Sequence, residues 1–176
     1  MDKLKVTGVI TQRTLVIMRT IKFKAKSLSN SQWIYGDLVH HVTRHYILTD
    51  RERNKIHSIC ESVDPNTVCQ FTGFTDKNDN EIYEGDVLRS DKYPYSCSED
   101  NEHDNYYAVV YYCEEGACFG IVTAKNPDSD VRGISDGILD DVSQEKLKNF
   151  EVVGNIHNPK WKQYGEYFQT EEDKKE

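Results

Sequence analysis

The segment from Asp64 to Leu88, D-P-N-T-V-C-Q-F-T-G-F-T-D-K-N-D-N-E-I-Y-E-G-D-V-L, decides the fold. Its close, I-Y-E-G-D-V-L (Ile82 to Leu88), has a looser partner upstream in I-Y-G-D-L-V (Ile34 to Val39). Each reads as a turn and strand entry. Gly takes the bend, Asp accepts backbone N–H bonds, and the apolar residues enter the core. Gly36 with Asp37, Gly73, and Gly85 with Asp86 are therefore assigned to structural turns. Asp64-Pro65-Asn66 and Asp76 to Asn80 are further turn signals, because Pro presets φ and Asn and Asp tolerate left-handed backbone angles. Strands entered this way suit small, curved β-barrels. The two Gly-Asp segments agree over too few positions to imply a recent duplication.

Outward from this segment, period-two alternation dominates before residue 140. Thr20 to Lys26 alternates Ile21, Phe23 and Ala25 with Lys22, Lys24 and Lys26, which predicts a half-buried strand with a cationic outer face. Strands are expected at Trp33 to His41, Arg44 to Thr49, Lys55 to Cys60 and Val68 to Phe71, and a longer one at Glu81 to Arg89. Tyr106 to Cys113 and Ala117 to Ala124, joined by Glu114-Glu115-Gly116, form the clearest hairpin. Ser143 can cap a short helix running to Asn149. Glu151 to His157 reads as a closing strand, and Ser90 to Asn105 and Asn126 to Asp140 as polar loops.

The order of strand, long loop, hairpin, helical turn and closing strand matches an SH3-like barrel. The expectation is a mainly β protein with a small amino-terminal β unit (18–75) and an SH3-like β-barrel with one short helix (76–160). An extension or extra strand (1–17) precedes them and a charged tail (161–176) follows. Aromatic residues compensate for a hydrophobic fraction of only 37%: 11 Tyr, 6 Phe and 2 Trp supply large apolar bodies.

The same residues carry a family resemblance. R-T-I-K-F-K-A-K (Arg19 to Lys26), W-I-Y-G-D-L (Trp33 to Leu38), the segment V-C-Q-F-T-G-F-T-D-K-N-D-N-E-I-Y-E-G-D-V-L and F-E-V-V-G-N-I-H (Phe150 to His157) follow in an order that resembles the YopX family. These are small proteins encoded by bacteriophages and integrated prophages. The resemblance spans roughly residues 18 to 159 and implies a phage or prophage origin, a largely β fold and self-association. It supplies no established activity and so no catalytic residue. The first 17 residues and an enlarged loop near 91 to 105 depart from the family pattern.

Composition narrows the function classes. No run approaches the roughly 18 apolar residues that cross a bilayer, and the start lacks a signal-peptide apolar core, so the cytoplasm of a bacterial host is the expected compartment. The five cysteines (60, 69, 97, 113 and 118) include no C-x-x-C pair, which argues against a disulfide framework or zinc site. Cys113 and Cys118 flank a turn and could face each other, but read better as reduced strand residues. His40 and His41 point to opposite faces of a strand, and His41 and His45 lie too far apart along it to share an ion. D-K-N-D-N-E lacks the sixth-position glycine and bidentate glutamate of a calcium loop. No catalytic or cofactor motif occurs, so the expectation is a non-enzyme without a cofactor or metal.

Charge supplies the remaining leads. Residues 1–60 hold 11 Lys/Arg and 4 Asp/Glu, leaving +7; residues 61–176 hold 11 and 26, leaving −15. Opposite signs in one chain favour complementary association, so a homo-oligomer or a host or phage protein partner is the first reading. Tyr106, Tyr107, Tyr111 and Tyr112 put rings on both faces of one strand and are its candidate interface. The alternative is nucleic-acid binding by a basic face of Lys22, Lys24, Lys26, Arg44, Arg51 and Arg53, with Trp33, Tyr35 and Tyr46 available to stack bases. Core packing is the competing use of those aromatics.

Overall fold

A computed structural model describes residues 19–49, 60–90, 106–124, 140–141 and 144–162. They form two antiparallel sheets. The first comprises β1 (Phe23–Lys26), β2 (Trp33–His41), β3 (Arg44–Leu48), β4 (Glu61–Val63), β5 (Cys69–Thr75) and β6 (Glu81–Tyr83), in the order β4-β3-β2-β1-β5-β6. The second comprises β7 (Asp86–Ser90), β8 (Tyr106–Cys113), β9 (Cys118–Ala124), β10 (Asp140–Asp141) and β11 (Glu151–Asn155), in the order β10-β9-β8-β7-β11. No helix among the described residues is long and apolar enough to cross a membrane.

The first sheet curls. An isolated bridge between Ser27 and Val63 brings β4 round to the end of β1, backed by Leu28 N–H to Ser62 O at 3.0 Å and Asp64 N–H to Lys26 O at 2.9 Å. Ala25, Ile47 and Val63 are sealed in this wrap, with Phe23, Ile34, Leu38 and Val68 packed against them. Gly36 makes the curl possible, since a Cβ there would lie 2.0 Å from the carbonyl oxygen of Leu48. Gly73 has φ +96° and lies where the β5–β6 register shifts.

The chain passes between sheets at Glu84-Gly85, so the single strand expected over Glu81 to Arg89 is two strands belonging to different sheets. The crossing is stitched to both. Glu84 N–H binds Gln70 O (2.9 Å), Gly85 N–H binds Val110 O (2.8 Å), and Gly85 O accepts from Ile156 N–H (2.9 Å). Gly85 has φ +73°, a conformation that suits glycine. Among the described residues β10 and β11 are the edges of an open five-stranded sheet.

Both faces of this second sheet are covered. One carries Leu88, Ala108, Val110, Phe119 and Ile121 against Ile82, Leu147 and Phe150. The other carries Val87, Tyr107, Val109 and Val122 under Trp161. Burying each Val, Leu, Ile or Phe side chain among them contributes roughly 1.5–3 kcal/mol. Trp161, placed by the sequence at the head of a charged tail, is 5% exposed and ends a 3-10 turn, Pro159–Trp161. The helix α1 covers only Gln144–Leu147. So short a helix depends on packing rather than propensity, and the Gln144 amide anchors it to Thr75, donating to its carbonyl at 3.1 Å.

The hairpin β8–β9 and strand β2 fall where alternation predicts them. The strand expected at Lys55 to Cys60, apart from Cys60 itself, which is not in a strand, lies outside the described residues, as do the 1–17 extension, the acidic loop near 91 to 105 and the cap Ser143. Strands β4 and β10 were not anticipated; each is only two or three residues long, too short for a periodic signal.

Candidate functional site

Lys24 and Lys26 of β1, with Lys22 just before it, do share one face, but at Lys24 that face looks at the second sheet rather than at solvent, whereas Lys22 pairs within the first sheet. Lys24, expected on an exposed cationic face, is 6% exposed. Its ammonium pairs with the Asp86 carboxylate and lies 4.9 Å from the centre of the Trp33 ring and 4.8 Å from that of Tyr83. Lys22 pairs with Glu81, and Lys26 donates to the carbonyl of His157. The cause is that Phe23 and Ala25 fill the wrapped core on one side of β1, which leaves Lys24 to the inter-sheet junction on the other.

Asp86 holds the centre of that junction. Besides Lys24, it accepts from the Tyr83 backbone N–H (2.8 Å) and the Asn155 side-chain amide (3.0 Å). Burial pushes its carboxyl above the usual range, against the opposing pull of Lys24, Asn155 and the Tyr83 N–H. Burial likewise pushes the neighbouring Cys69 thiol up to about 12. It raises the Tyr83 phenol as well, with help from the hydrogen bond to Glu81. Asn155 also donates to Glu84 O at 3.3 Å and accepts from His157 N–H at 3.0 Å. Strands β1, β6, β7 and β11 are thereby joined through one polar network, in which Asp86 accepts three hydrogen bonds.

Asp76 forms a second junction. Its carboxylate accepts from the backbone N–H groups of Asn78 (2.7 Å), Asn80 (2.9 Å) and Val152 (2.9 Å), and from the Asn80 amide (3.0 Å). Burial works to raise this carboxyl, but the donors outweigh it and hold it below the usual range. Four protein donors occupy the oxygens that a cation would need. The calcium-like spacing is a turn lock that fastens the β5–β6 turn to β11.

The histidines sit on the β2–β3 hairpin. His40 and His45 are opposite each other with rings stacked at 4.5 Å, and His41 is opposite Arg44. Among the described residues no group of three or more His, Cys, Asp and Glu side chains could hold a metal ion.

Of the hairpin tyrosines, Tyr107 is buried against Trp161 at 5.6 Å, Tyr111 packs over Gly120, Tyr106 is half-buried, and only Tyr112 is exposed, at 42%. The tyrosine face that alternation left for a partner is thus covered from within by the chain's own Trp161. Arg44 is exposed, whereas Arg51 and Arg53 lie outside the described residues.

An unpredicted surface remains: the outer face of β2–β3. Along β2, Tyr35, Asp37, Val39 and His41 point away from the wrapped core, with Leu48, Tyr46 and Arg44 opposite the last three. Tyr35 is 50% exposed with one edge of its ring against Tyr83 at 5.7 Å, Val39 is also exposed, and Val42 at the hairpin tip is 81% exposed with φ +51°. The sequence signal was there in Tyr35 and Val39 on the strand's odd positions, but alternation could not say which set faced inward.

These features define a mainly β protein of two antiparallel sheets, joined through a buried ion pair and carrying an exposed apolar hairpin face. The chain belongs to the YopX protein family, which matches residues 22–160. Among solved structures it is similar to protein EF1440 from Enterococcus faecalis, at 18% identity and a TM-score of 0.42, over 80% of this chain and 95% of that one. No curated protein matches the chain.

Proposed function

We propose that this YopX protein is a non-catalytic, self-associating interaction module of phage or prophage origin, working in the bacterial cytoplasm. The observation that carries the reading is the outer face of β2–β3, where Tyr35, Val39 and Val42 are exposed together beside His41 and Arg44. Apolar and aromatic groups rimmed by polar ones are the make-up of a protein interface. A β-branched residue held in the left-handed region at an exposed tip costs roughly 1–3 kcal/mol, strain that recurs at functional sites. The occupant we assign is a second copy of this chain. The face belongs to the half that carries +7, and the acidic remainder of a neighbouring copy carries −15, which favours a head-to-tail contact.

The internal bonding of Asp76, with four donors, and of Asp86, with three, supports the non-catalytic reading. The nucleic-acid alternative ranks lower, because Lys22, Lys24 and Lys26 already hold internal partners. We retain the SH3-like reading of residues 76–160 as a description of element order; closure would bring β10 and β11 together.

Sedimentation velocity across protein concentration and salt, run with and without labelled single-stranded DNA, duplex DNA and RNA, tests the function. The expected result is concentration-dependent assembly that weakens with salt as the charge attraction is screened, yet is not abolished because the contact is apolar at its centre, with no nucleic-acid binding. A monomer at every concentration, or nucleic-acid binding that collapses log-linearly with salt, overturns it.

A further inference from the structure

Cys113 and Cys118 end the two strands of the β8–β9 hairpin and are direct cross-strand partners. Directly opposed residues of antiparallel strands have Cα atoms about 4.5 or 5.5 Å apart. Both spacings fall inside the roughly 4.4–6.8 Å that a disulfide spans. Opposed residues also project to the same face. The sulfurs converge here: a Cβ placed on Gly116 would stand 3.0 Å from Cys118 Sγ and 3.6 Å from Cys113 Sγ. The Gly116 N–H points at Cys113 Sγ from 3.4 Å, which holds that sulfur against the turn. Both cysteines are half-buried, within reach of a small reagent, whereas Cys69 is sealed in the junction.

We propose that Cys113 and Cys118 form a reversible cross-strand disulfide, a modification site that clasps the tip of the β8–β9 hairpin. The partner is a low-molecular-weight disulfide such as oxidised glutathione. One cysteine sulfur gives up its proton and attacks the reagent, forming a mixed disulfide and releasing one small thiol. The second cysteine then attacks the protein-bound sulfur and expels the second small thiol. The two cysteines lose two electrons and two protons, and the reagent gains both as two thiols. A thiol-rich cytosol keeps the pair open, and oxidation closes it within the spacing that opposed antiparallel residues already have. The clasp lies next to Tyr112, the exposed tyrosine of this hairpin.

The test is equilibration of the full chain, carrying Cys97→Ser so that assignment is unambiguous, in mixtures of reduced and oxidised glutathione. Alkylation and mass spectrometry then read each cysteine. The expected result is that Cys113 and Cys118 lose alkylation together, with a mass two hydrogens lower and no bound glutathione. In Cys118→Ser, Cys113 should instead accumulate as its glutathione adduct. The unsubstituted chain, sequenced by fragmentation, provides the same reading without relying on the fold of a variant. Independent titration of the two cysteines as glutathione adducts, or full alkylation at the most oxidising mixture, overturns the clasp.

Discussion

Lys24 and Asp86, one from each sheet, are sealed against each other beside the rings of Trp33 and Tyr83. Sixty-two positions separate them in sequence, yet the pair sits where the two halves of the molecule meet. Desolvating two charges is expensive, and the geometry must repay it through hydrogen bonds to Tyr83 N–H and Asn155. The asymmetry between breaking the pair and replacing it gives the first expectation.

Lys24→Met leaves the Asp86 carboxylate buried without its cation and should cost about 3–5 kcal/mol of stability. The double variant Lys24→Met/Asp86→Asn removes both charges while keeping an acceptor for the Tyr83 N–H, and should be more stable than the single one. Urea unfolding of the three proteins checks this. A double variant less stable than Lys24→Met would contradict the pairing.

Asp76 predicts a pH dependence. Its folded carboxyl lies below the usual range, so its stabilisation is present above the unfolded value and is lost as pH falls through the folded one. Asp86 runs the other way: its raised carboxyl favours the folded state most at low pH, and that contribution falls as pH rises through the folded value. Asp76→Asn should therefore cost roughly 1–3 kcal/mol at neutral pH and lose much of the wild-type decline in acid. Urea midpoints measured from pH 3 to 7 would show the wild-type and variant curves converging at the acid end. Parallel curves would mean that Asp76 is not the group responsible.

Gly36→Ala places a methyl group 2.0 Å from Leu48 O, a backbone atom that cannot swing aside. We expect a loss of about 1–3 kcal/mol, read as a lower Tm, because the strand must move to admit the side chain. An unchanged Tm would show that the β2–β3 curl tolerates a Cβ.

What was legible in the sequence was local. Turn chemistry and alternation located β2, β3, β8 and β9, because each has a run long enough to show its period and a turn that ends it. Alternation also grouped Lys22, Lys24 and Lys26 correctly on one face. It could not reveal that Asp86 of the second sheet seals Lys24, or that Lys22 and Lys26 meet Glu81 and His157, since these partners come from distant segments. Trp161 was lost for a similar reason. It follows the last strand within a charged stretch, and only the neighbouring Gly154, with no Cβ to block the ring, hints that an indole lies there. The exposed β2–β3 face appeared only by elimination, once the inward set was known.

The measurement that bears most directly on the functional reading is sedimentation velocity of Tyr35→Glu/Val39→Glu beside Tyr112→Glu and the unaltered chain. Val39 and Tyr112 are exposed, whereas Tyr35, 50% exposed, also packs edge-on against Tyr83 at 5.7 Å, so the Tm of the double variant is read alongside to confirm that it is folded. The outer face of β2–β3 predicts that the double variant is monomeric at concentrations where the unaltered chain and Tyr112→Glu remain assembled. Assembly that survives in the double variant, or is lost only in Tyr112→Glu, would contradict it.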